Sequence, residues 1–245
     1  MHEYKHALIL PTLHATLPCL PSQELVCLGG GRTPTKDWLT QLFQQSEKGG
    51  TDRPILAIDR GVNICYALKL PPVHLIGDGD SASKAAWTWA ETQGAQVHSF
   101  PPKKDFTDTE LTLHIAAERF ARPLIILTGA FGGRLDHLMS TAAVAAHADI
   151  SCVLADECET LFYLHAGESL TVTCDTPPRA ISLLPFTEEC TGVTTHGLYW
   201  ELRDACITNR ASLAISNVLA RENTKKTFAV SIKSGVLGVY LCHKE

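Results

Sequence analysis

The sequence predicts an α/β protein with two domains. An N-terminal doubly wound, mostly parallel α/β domain is expected over residues 1–155, followed by a smaller antiparallel β-sandwich domain over residues 156–245. In the first part, short apolar runs alternate with longer helix-compatible segments, which favours a parallel sheet covered by helices. In the second part, short β-branched or aromatic segments are separated by turn residues, which is typical of antiparallel sheets.

The apolar runs of the first domain have the length and composition of buried strands. They lie at 24–30, 54–59, 73–78, 95–100, 123–129 and 150–156. Segments rich in Ala, Leu, Glu or Gln separate them and predict helices over 36–48, 81–93, 107–120 and 134–148. Because ligands of such sheets bind beyond the carboxyl ends of the strands, the chemistry is expected in the loops that enter the helices.

The second domain is predicted from six further segments. They lie at 160–175, 179–186, 194–204, 212–220, 226–235 and 236–243. The first twenty or so residues have no assigned element and are interpreted as a solvated terminus.

Composition excludes several classes of protein. The chain has 245 residues, of which 45% are hydrophobic, so it can bury a sizeable core. Its net charge of -5 gives no basic footprint for nucleic acid or an anionic membrane surface. No stretch reaches the roughly 18 apolar residues of a membrane span, and no signal peptide is evident, so a cytoplasmic location is expected. The nine cysteines form no CxxC pair and are expected to be reduced.

The loop GDGDS, residues 77–81, follows the strand predicted at 73–78. Asp78 and Asp80 can converge on one point there, but two carboxylates at that spacing repel each other unless a cation compensates them. Mg²⁺ suits such oxygen ligands in a phosphate site. The alternative is a solvated loop in which Asp80 or Ser81 caps the next helix.

A second acidic loop, residues 103–108, reads KKDFTD and holds Asp105 and Asp108. Thr107 and Glu110 form a capping box, which is sufficient to explain Thr107. The capping box does not explain two lysines next to two aspartates. That combination at a helix N-terminus favours a site for phosphate together with a metal ion.

A third loop, residues 129–137, reads GAFGGRLDH. Its glycines allow a ligand to approach the backbone closely, and Arg134 can grip a phosphate with two nitrogens. Taken alone, His137 is better explained as a structural histidine. No Walker A sequence is present, so an ordinary P-loop is excluded.

These three loops resemble the motifs GDxDS, KDxTD and GGRxDH of the thiamine pyrophosphokinase family, here GDGDS at 77–81, KDFTD at 104–108 and GGRLDH at 132–137. An earlier turn, DRGVN at 59–63, is similar to the family's Asp-Gly-Gly-Ala-Asn turn, from which Arg60 departs.

The second half resembles the β-rich thiamine-binding domain of that family more loosely, through GLYWEL at 197–202 and Ser216-Asn217. The resemblance implies a homodimer with active sites at the subunit interface. From the residues alone, Trp200 is better explained as core filling, and Ser216-Asn217 as a turn.

The resemblance implies an enzyme that transfers the pyrophosphoryl group of ATP to the hydroxyl of thiamine, with Mg²⁺, giving thiamine diphosphate and AMP. The candidate catalytic and metal-binding residues are Asp78, Asp80, Asp105 and Asp108, one of which would accept the hydroxyl proton. The candidate ATP-binding residues are Asp59, Gly61, Asn63, Lys104, Thr107, Arg134, Asp136 and His137. The candidate thiamine-binding residues are Trp200, Ser216 and Asn217.

Two other functions remain open from the sequence. The acidic loops specify diphosphate transfer better than its acceptor, so a pyrophosphokinase for another hydroxymethyl heterocycle, of the pterin type, is one alternative. A non-catalytic thiamine-binding protein with a degenerate kinase domain is the other.

Overall fold

The computed structural model describes residues 5–44, 53–100 and 105–244. In chain order, the strands are β1 (His6–Leu10), β2 (Leu13–Leu17), β3 (Gln23–Leu28), β4 (Ile55–Ile58), β5 (His74–Gly77), β6 (Gln96–Ser99), β7 (Pro123–Thr128), β8 (Ser151–Ala155), β9 (Glu159–Leu164), β10 (Ser169–Cys174), β11 (Ala180–Pro185), β12 (Glu189–His196), β13 (Ala205–Thr208), β14 (Thr227–Ser231) and β15 (Leu237–Cys242). The helices are α1 (Lys36–Gln44), α2 (Val62–Leu68), α3 (Lys84–Thr92), α4 (Asp108–Arg119) and α5 (Leu135–Ala146).

The chain divides into two compact units. Pro21–Leu39 and Asp52–Asp156 form the parallel unit, and Met1–Leu20, Thr40–Thr51 and Glu157–Glu245 form the antiparallel unit. The mixed α/β class is therefore confirmed. Within the described ranges, no helix combines the length and the hydrophobicity needed to cross a membrane.

Six parallel strands form the centre of the parallel unit, in the order β8-β7-β3-β4-β5-β6. Each matches one of the predicted apolar runs, and the strands next to β3 are buried along their whole length, as expected for a sheet covered on both faces. The chain leaves β3 towards β4 and later returns to its other side as β7. The loops that follow these central strands are consequently where this sheet type binds ligands.

The predicted helices of this unit are present, and α4 begins at the expected cap, Thr107, whereas α3 is capped by Ser83 and not by Asp80 or Ser81. The hydroxyl of Ser83 accepts a hydrogen bond from the Ala86 N–H of α3 at 3.2 Å, and the hydroxyl of Thr107 accepts one from the Glu110 N–H of α4 at 3.2 Å. The short helix α2 was not predicted. It follows a single 3₁₀ turn, Asp59–Gly61, directly after β4.

The antiparallel unit contains a six-stranded sheet in the order β1-β2-β10-β14-β12-β13, and β15 pairs with both β11 and β9. The expected solvated terminus is wrong. From His6 onward the chain forms the β1–β2 hairpin, in which Leu8 and Leu10 are buried, and β2 pairs with β10. The division at residue 155 therefore does not hold for the chain before Pro21. The added stretches also make this unit about as long as the parallel one, not smaller.

Two predicted strands of this unit are wrong in part. The segment 194–204 is strand only as far as His196, and 212–220 forms isolated bridges but no strand. Ala214 and Ser216 both have positive φ, 68° and 59°, which a regular strand does not accommodate. The hydrophobic pattern predicted strands where the backbone turns.

Candidate active site

Three carboxylates from two neighbouring turns converge at the carboxyl ends of β4 and β5. One oxygen from each of Asp59, Asp78 and Asp80 lies within 4.8 Å of the other two, and no other such group of potential metal ligands occurs among the residues described. Asp78 and Asp80 were predicted as metal ligands, whereas Asp59 was predicted only to bind ATP. We refer to these three residues as the acidic cluster.

The local backbone holds Asp59 in this position. Its φ is 47°, a left-handed conformation that costs energy in a residue with a side chain. Gly77 leaves room for the Asp59 side chain, because a Cβ at Gly77 would lie 3.1 Å from the Asp59 Cβ. On the other side, a Cβ at Gly61 would lie 1.9 Å from the carbonyl oxygen of Leu28, so only glycine lets the turn pack on β3. Gly61, predicted to bind ATP, thus has a structural role.

The hydrogen bonds of Asp59 are incomplete. Its Oδ2 accepts a hydrogen bond from the Ser81 hydroxyl at 2.5 Å. Its Oδ1 is buried and has no hydrogen-bond partner among the described residues. Such an oxygen costs free energy unless a ligand or an ion satisfies it.

The charges of the cluster repel one another. Asp78 raises the pKa of Asp80, and desolvation, Asp59 and Asp108 add to the effect. A bound divalent cation would remove this repulsion and satisfy the unpaired oxygen of Asp59, so the donor set fits a hard cation such as Mg²⁺.

The second loop does not join the cluster. Asp105 is exposed, neither Asp105 nor Asp108 belongs to the cluster, and the charge of Asp108 raises the pKa of Asp80. Thr107 serves as the cap of α4. Lys104 lies outside the described residues. The structure thus brings together two of the four predicted aspartates, with Asp59 as the third member.

The glycines of the third loop mainly serve packing between loops. The Gly31 N–H donates to the Gly129 carbonyl at 2.6 Å, and the Arg32 N–H donates to the Phe131 carbonyl at 2.6 Å. A Cβ at Gly31 or Gly129 would lie 2.6 Å from a carbonyl oxygen of the opposite loop. The loops after β3 and β7 are therefore locked together, and Gly133 is the least crowded of these glycines, because a Cβ there would lie 4.0 Å from the Gly31 Cα.

Arg134, Asp136 and His137 form an exposed group at the start of α5. Arg134 donates to both carboxylate oxygens of Asp136, at 3.1 and 2.5 Å, and lowers the pKa of Asp136 to about 2. The His137 N–H also donates to Asp136, at 3.0 Å. An ion pair this exposed adds little to stability, so a phosphate can replace Asp136 as the partner of Arg134 at low cost.

Asn63 connects two elements next to the acidic cluster. Its Oδ1 accepts a hydrogen bond from the Ser83 N–H at 3.0 Å, which joins α2 to the segment that leads from the cluster into α3. The predicted contact of Asn63 with ATP stays a prediction.

In the antiparallel unit, Trp200 is not a core residue. It is 60% exposed, and its ring meets that of Tyr199 edge to face, with centroids 4.7 Å apart. This exposed aromatic pair corrects the interpretation of Trp200 as core filling, and it leaves a flat indole face accessible.

Asn217 holds the Trp200 segment in place. It is only 5% exposed. Its Oδ1 accepts hydrogen bonds from the Trp200 N–H at 3.1 Å and the Val218 N–H at 2.9 Å, and its Nδ2 donates to the Trp200 carbonyl at 2.8 Å. Ser216 is exposed beside it. The amide predicted to recognise thiamine is thus largely occupied by the backbone.

Sequence reasoning missed the place of Asp59 in the acidic cluster, although the signal was available. The turn at 59–63 follows one strand as GDGDS follows the next, and adjacent parallel strands bring their carboxyl ends together.

Residues 51–154 match the model of the thiamin pyrophosphokinase catalytic domain, and residues 169–237 match that of the thiamin pyrophosphokinase vitamin B1 binding domain. The thiamine pyrophosphokinase of Bacillus subtilis is 30% identical over 190 residues, which cover 75% of this chain and 87% of the relative. The chain belongs to the thiamin pyrophosphokinase family.

Solved structures of family members have the same fold. A thiamine pyrophosphokinase from Bacillus subtilis aligns with a TM-score of 0.74 at 23% identity, over 91% of this chain and 100% of that one. A thiamin pyrophosphokinase from Geobacillus thermodenitrificans aligns with a TM-score of 0.74 at 26% identity, over 91% and 99% of the two chains. The acidic cluster lies in the match to the family's catalytic domain, and Trp200, Ser216 and Asn217 lie in the match to its vitamin B1 binding domain.

Proposed function

We propose that this chain is an ATP-dependent thiamine pyrophosphokinase, which transfers the pyrophosphoryl group of ATP to the hydroxyl of thiamine. The observation that carries the proposal is the acidic cluster, whose three carboxylates converge within a segment that matches the family's catalytic domain. The match to a vitamin B1 binding domain supports thiamine as the acceptor.

In the proposed site, Mg²⁺ is held by Asp78, Asp80 and Asp59. Bound there, the ion would neutralise charge on the phosphates and help to orient them. The buried oxygen of Asp59 without a partner and the raised pKa of Asp80 both support a cation at this point. Asp108 and Asp105 would bind the ion through a bridging water, or directly after a movement of their loop.

The reaction forms one bond and breaks one. The thiamine hydroxyl oxygen attacks the β-phosphorus of ATP, the bond from that phosphorus to the oxygen bridging it to the α-phosphorus breaks, and AMP leaves with that oxygen. The hydroxyl proton passes to a carboxylate of the site or to water. The task of the protein in such a transfer is mainly positioning and charge neutralisation.

The remaining predicted residues complete the proposed site. Lys104 and Arg134 would balance phosphate charge, with Asp136 holding Arg134 until the nucleotide arrives. Trp200 would offer its exposed face to the thiamine rings, because an indole face attracts a cationic thiazolium. Asn217 would act indirectly, by holding the Trp200 segment.

We further propose a cytoplasmic homodimer with active sites at the subunit interface. The family resemblance supports the dimer, and nine cysteines without a CxxC pair fit a reducing compartment.

The alternatives are less well supported. A pterin-type acceptor has no counterpart in the match to a vitamin B1 binding domain. A non-catalytic binding protein would not need three converging carboxylates. It would also gain nothing from the unpaired Oδ1 of Asp59, which costs free energy.

The test is a turnover assay of the purified chain with ATP, Mg²⁺ and thiamine, in which the nucleotide product is identified. We expect AMP and thiamine diphosphate in equal amounts, and no product when Mg²⁺ is chelated. A pterin alcohol serves as the competing acceptor in parallel. ADP as the product, or AMP formed only with the pterin, would overturn the proposal.

A further inference from the structure

Arg60 is an exposed arginine directly after Asp59 of the acidic cluster. Its Nε donates a hydrogen bond to the backbone carbonyl of Gly30. Its two terminal nitrogens form no hydrogen bond or ion pair with any residue in the described ranges. The guanidinium is thus fixed at one nitrogen and leaves its other donors available.

The neighbouring backbone fixes the position of the Arg60 side chain. The turn that carries Arg60 is pressed onto β3 at Gly61, so its backbone position is set. The stem of Arg60 then lies across Gly30, where a Cβ would come within 2.7 Å of the Arg60 Cγ and 2.9 Å of its Nε. The absence of a side chain at Gly30 therefore lets Arg60 occupy this position.

The available donors of Arg60 are not used by the carboxylates of the acidic cluster. Three carboxylates of the acidic cluster lie on this turn and the neighbouring one, yet Arg60 is anchored to a carbonyl and pairs with none of them. A guanidinium with free terminal nitrogens matches the geometry of a phosphate group, which accepts two parallel hydrogen bonds.

We propose that Arg60, held on Gly30, binds a phosphate group of the nucleotide beside the acidic cluster. The inference rests on the proposed function and adds a phosphate-binding residue at the position where the family's turn usually has glycine. Arg60 would then contribute positive charge to the phosphates that the metal ion alone would not supply.

Calorimetric titration with Mg²⁺ and α,β-methylene ATP tests this contact, because the analogue cannot be cleaved at the bond that the reaction breaks. Arg60→Ala removes the guanidinium, and Arg60→Lys keeps the charge but loses the paired donors. Gly30→Ala keeps the arginine but displaces its stem, and it is tolerated by the backbone because Gly30 does not have positive φ. Arg210→Ala, which removes an exposed arginine paired with Glu188 in the antiparallel unit, is the matched control.

Arg60→Ala is expected to weaken binding of the analogue by about 10- to 100-fold, the usual contribution of a charged hydrogen-bonding partner. Gly30→Ala should weaken it in the same direction, and Arg60→Lys should fall between Arg60→Ala and the unmodified chain. The double variant should bind no worse than Arg60→Ala alone, because both changes remove one contact. Arg210→Ala should bind like the unmodified chain.

Unchanged binding in Arg60→Ala overturns the proposal, as does a Gly30→Ala loss that adds fully to the Arg60→Ala loss. The proposed function is tested separately. If the unmodified chain binds the analogue but releases no AMP from ATP and thiamine, the chain is not a thiamine pyrophosphokinase. The titration of the variants still decides whether Arg60 binds phosphate. If Arg60→Ala does not fold, Gly30→Ala and Arg60→Lys decide the outcome.

Discussion

The polar groups at the acidic cluster and around Asn217 are used in opposite ways. The cluster, in the parallel unit, keeps three carboxylates together with an unpartnered oxygen and a raised Asp80 pKa. In the antiparallel unit, the amide of Asn217 is engaged by the backbone through three hydrogen bonds. Unused hydrogen-bonding capacity indicates a place for a ligand, and satisfied capacity indicates a structural role.

The largest expected effect is at the cluster. Asp80→Asn should lower the turnover number by roughly 1000-fold, because a catalytic metal ion contributes several kcal/mol to the transition state. The rate of AMP formation from ATP and thiamine measures it. The control is Asp37→Asn, which neutralises an exposed carboxylate of the same unit in α1.

Asp80→Asn also separates function from stability. Without Mg²⁺ the variant should unfold at the same temperature as the unmodified chain or higher, since it relieves repulsion. Near-full turnover in Asp80→Asn would remove this residue from the metal site.

Asn217→Ala is expected to lower stability, in contrast to Asp80→Asn. It removes three hydrogen bonds from a buried position and should lower the free energy of unfolding by about 3 kcal/mol. Denaturant titration measures it. Ser216→Ala is the matched control, because the Ser216 side chain makes no hydrogen bond to any residue that the structure describes and its positive φ is unchanged by the substitution. Equal stability of the two variants would contradict the structural role of Asn217.

His243 in the antiparallel unit and Asp80 in the parallel unit should also respond to acid in opposite directions. Burial lowers the pKa of His243 to about 4, against the effect of Glu159, and its Nε2 lies 3.0 Å from the Thr160 hydroxyl. The folded state therefore holds neutral His243. Between pH 6.5 and about 4 the unfolded chain binds more protons, so the stability contributed by His243 is complete above pH 6.5 and is lost as the pH falls.

The size of this loss is up to about 3 kcal/mol. For Asp80 the direction is reversed, because a raised pKa means that protonation favours the folded state. Denaturant titrations from pH 7 to pH 4 should show a shallower decline in His243→Gln than in the unmodified chain. His196→Gln, at an exposed histidine of the same unit, is the control, and an equally shallow decline in it would argue against the assignment to His243.

The smallest effect is expected at the exposed aromatic pair. Trp200→Ala should raise the KM for thiamine by roughly 2- to 30-fold, the range of a cation–π contact, and leave the KM for ATP unchanged. Steady-state kinetics with each substrate varied in turn measures both constants. A rise in the ATP constant alone would assign Trp200 to the other substrate.

The parallel unit was the more predictable of the two. All six of its strands match apolar runs. Strands such as β4, β5 and β7 are buried along their whole length and leave a continuous hydrophobic signal, whereas the edge strand β6 is largely exposed. Asp78 and Asp80 were placed at the correct edge for the same reason. Asp59 was not predicted in the acidic cluster, although the turns at 59–63 and 77–81 follow the consecutive strands β4 and β5, whose carboxyl ends lie side by side.

The antiparallel unit was less predictable, because its contacts join distant parts of the chain. The β1–β2 hairpin was missed since its partner β10 follows more than half the chain later. Likewise, Asn217 looks like a turn residue in sequence, and only its hydrogen bonds to Trp200 give its role.

The pairing of β2 with β10 also has a consequence for folding during synthesis. The hairpin is synthesised well before β10, and all six strands of the parallel unit are made in between. Synthesis at about 5–20 residues per second keeps the β2 edge unpaired for roughly ten seconds or more. During that interval the nascent chain carries an open template for strand pairing, which chaperones are suited to cover.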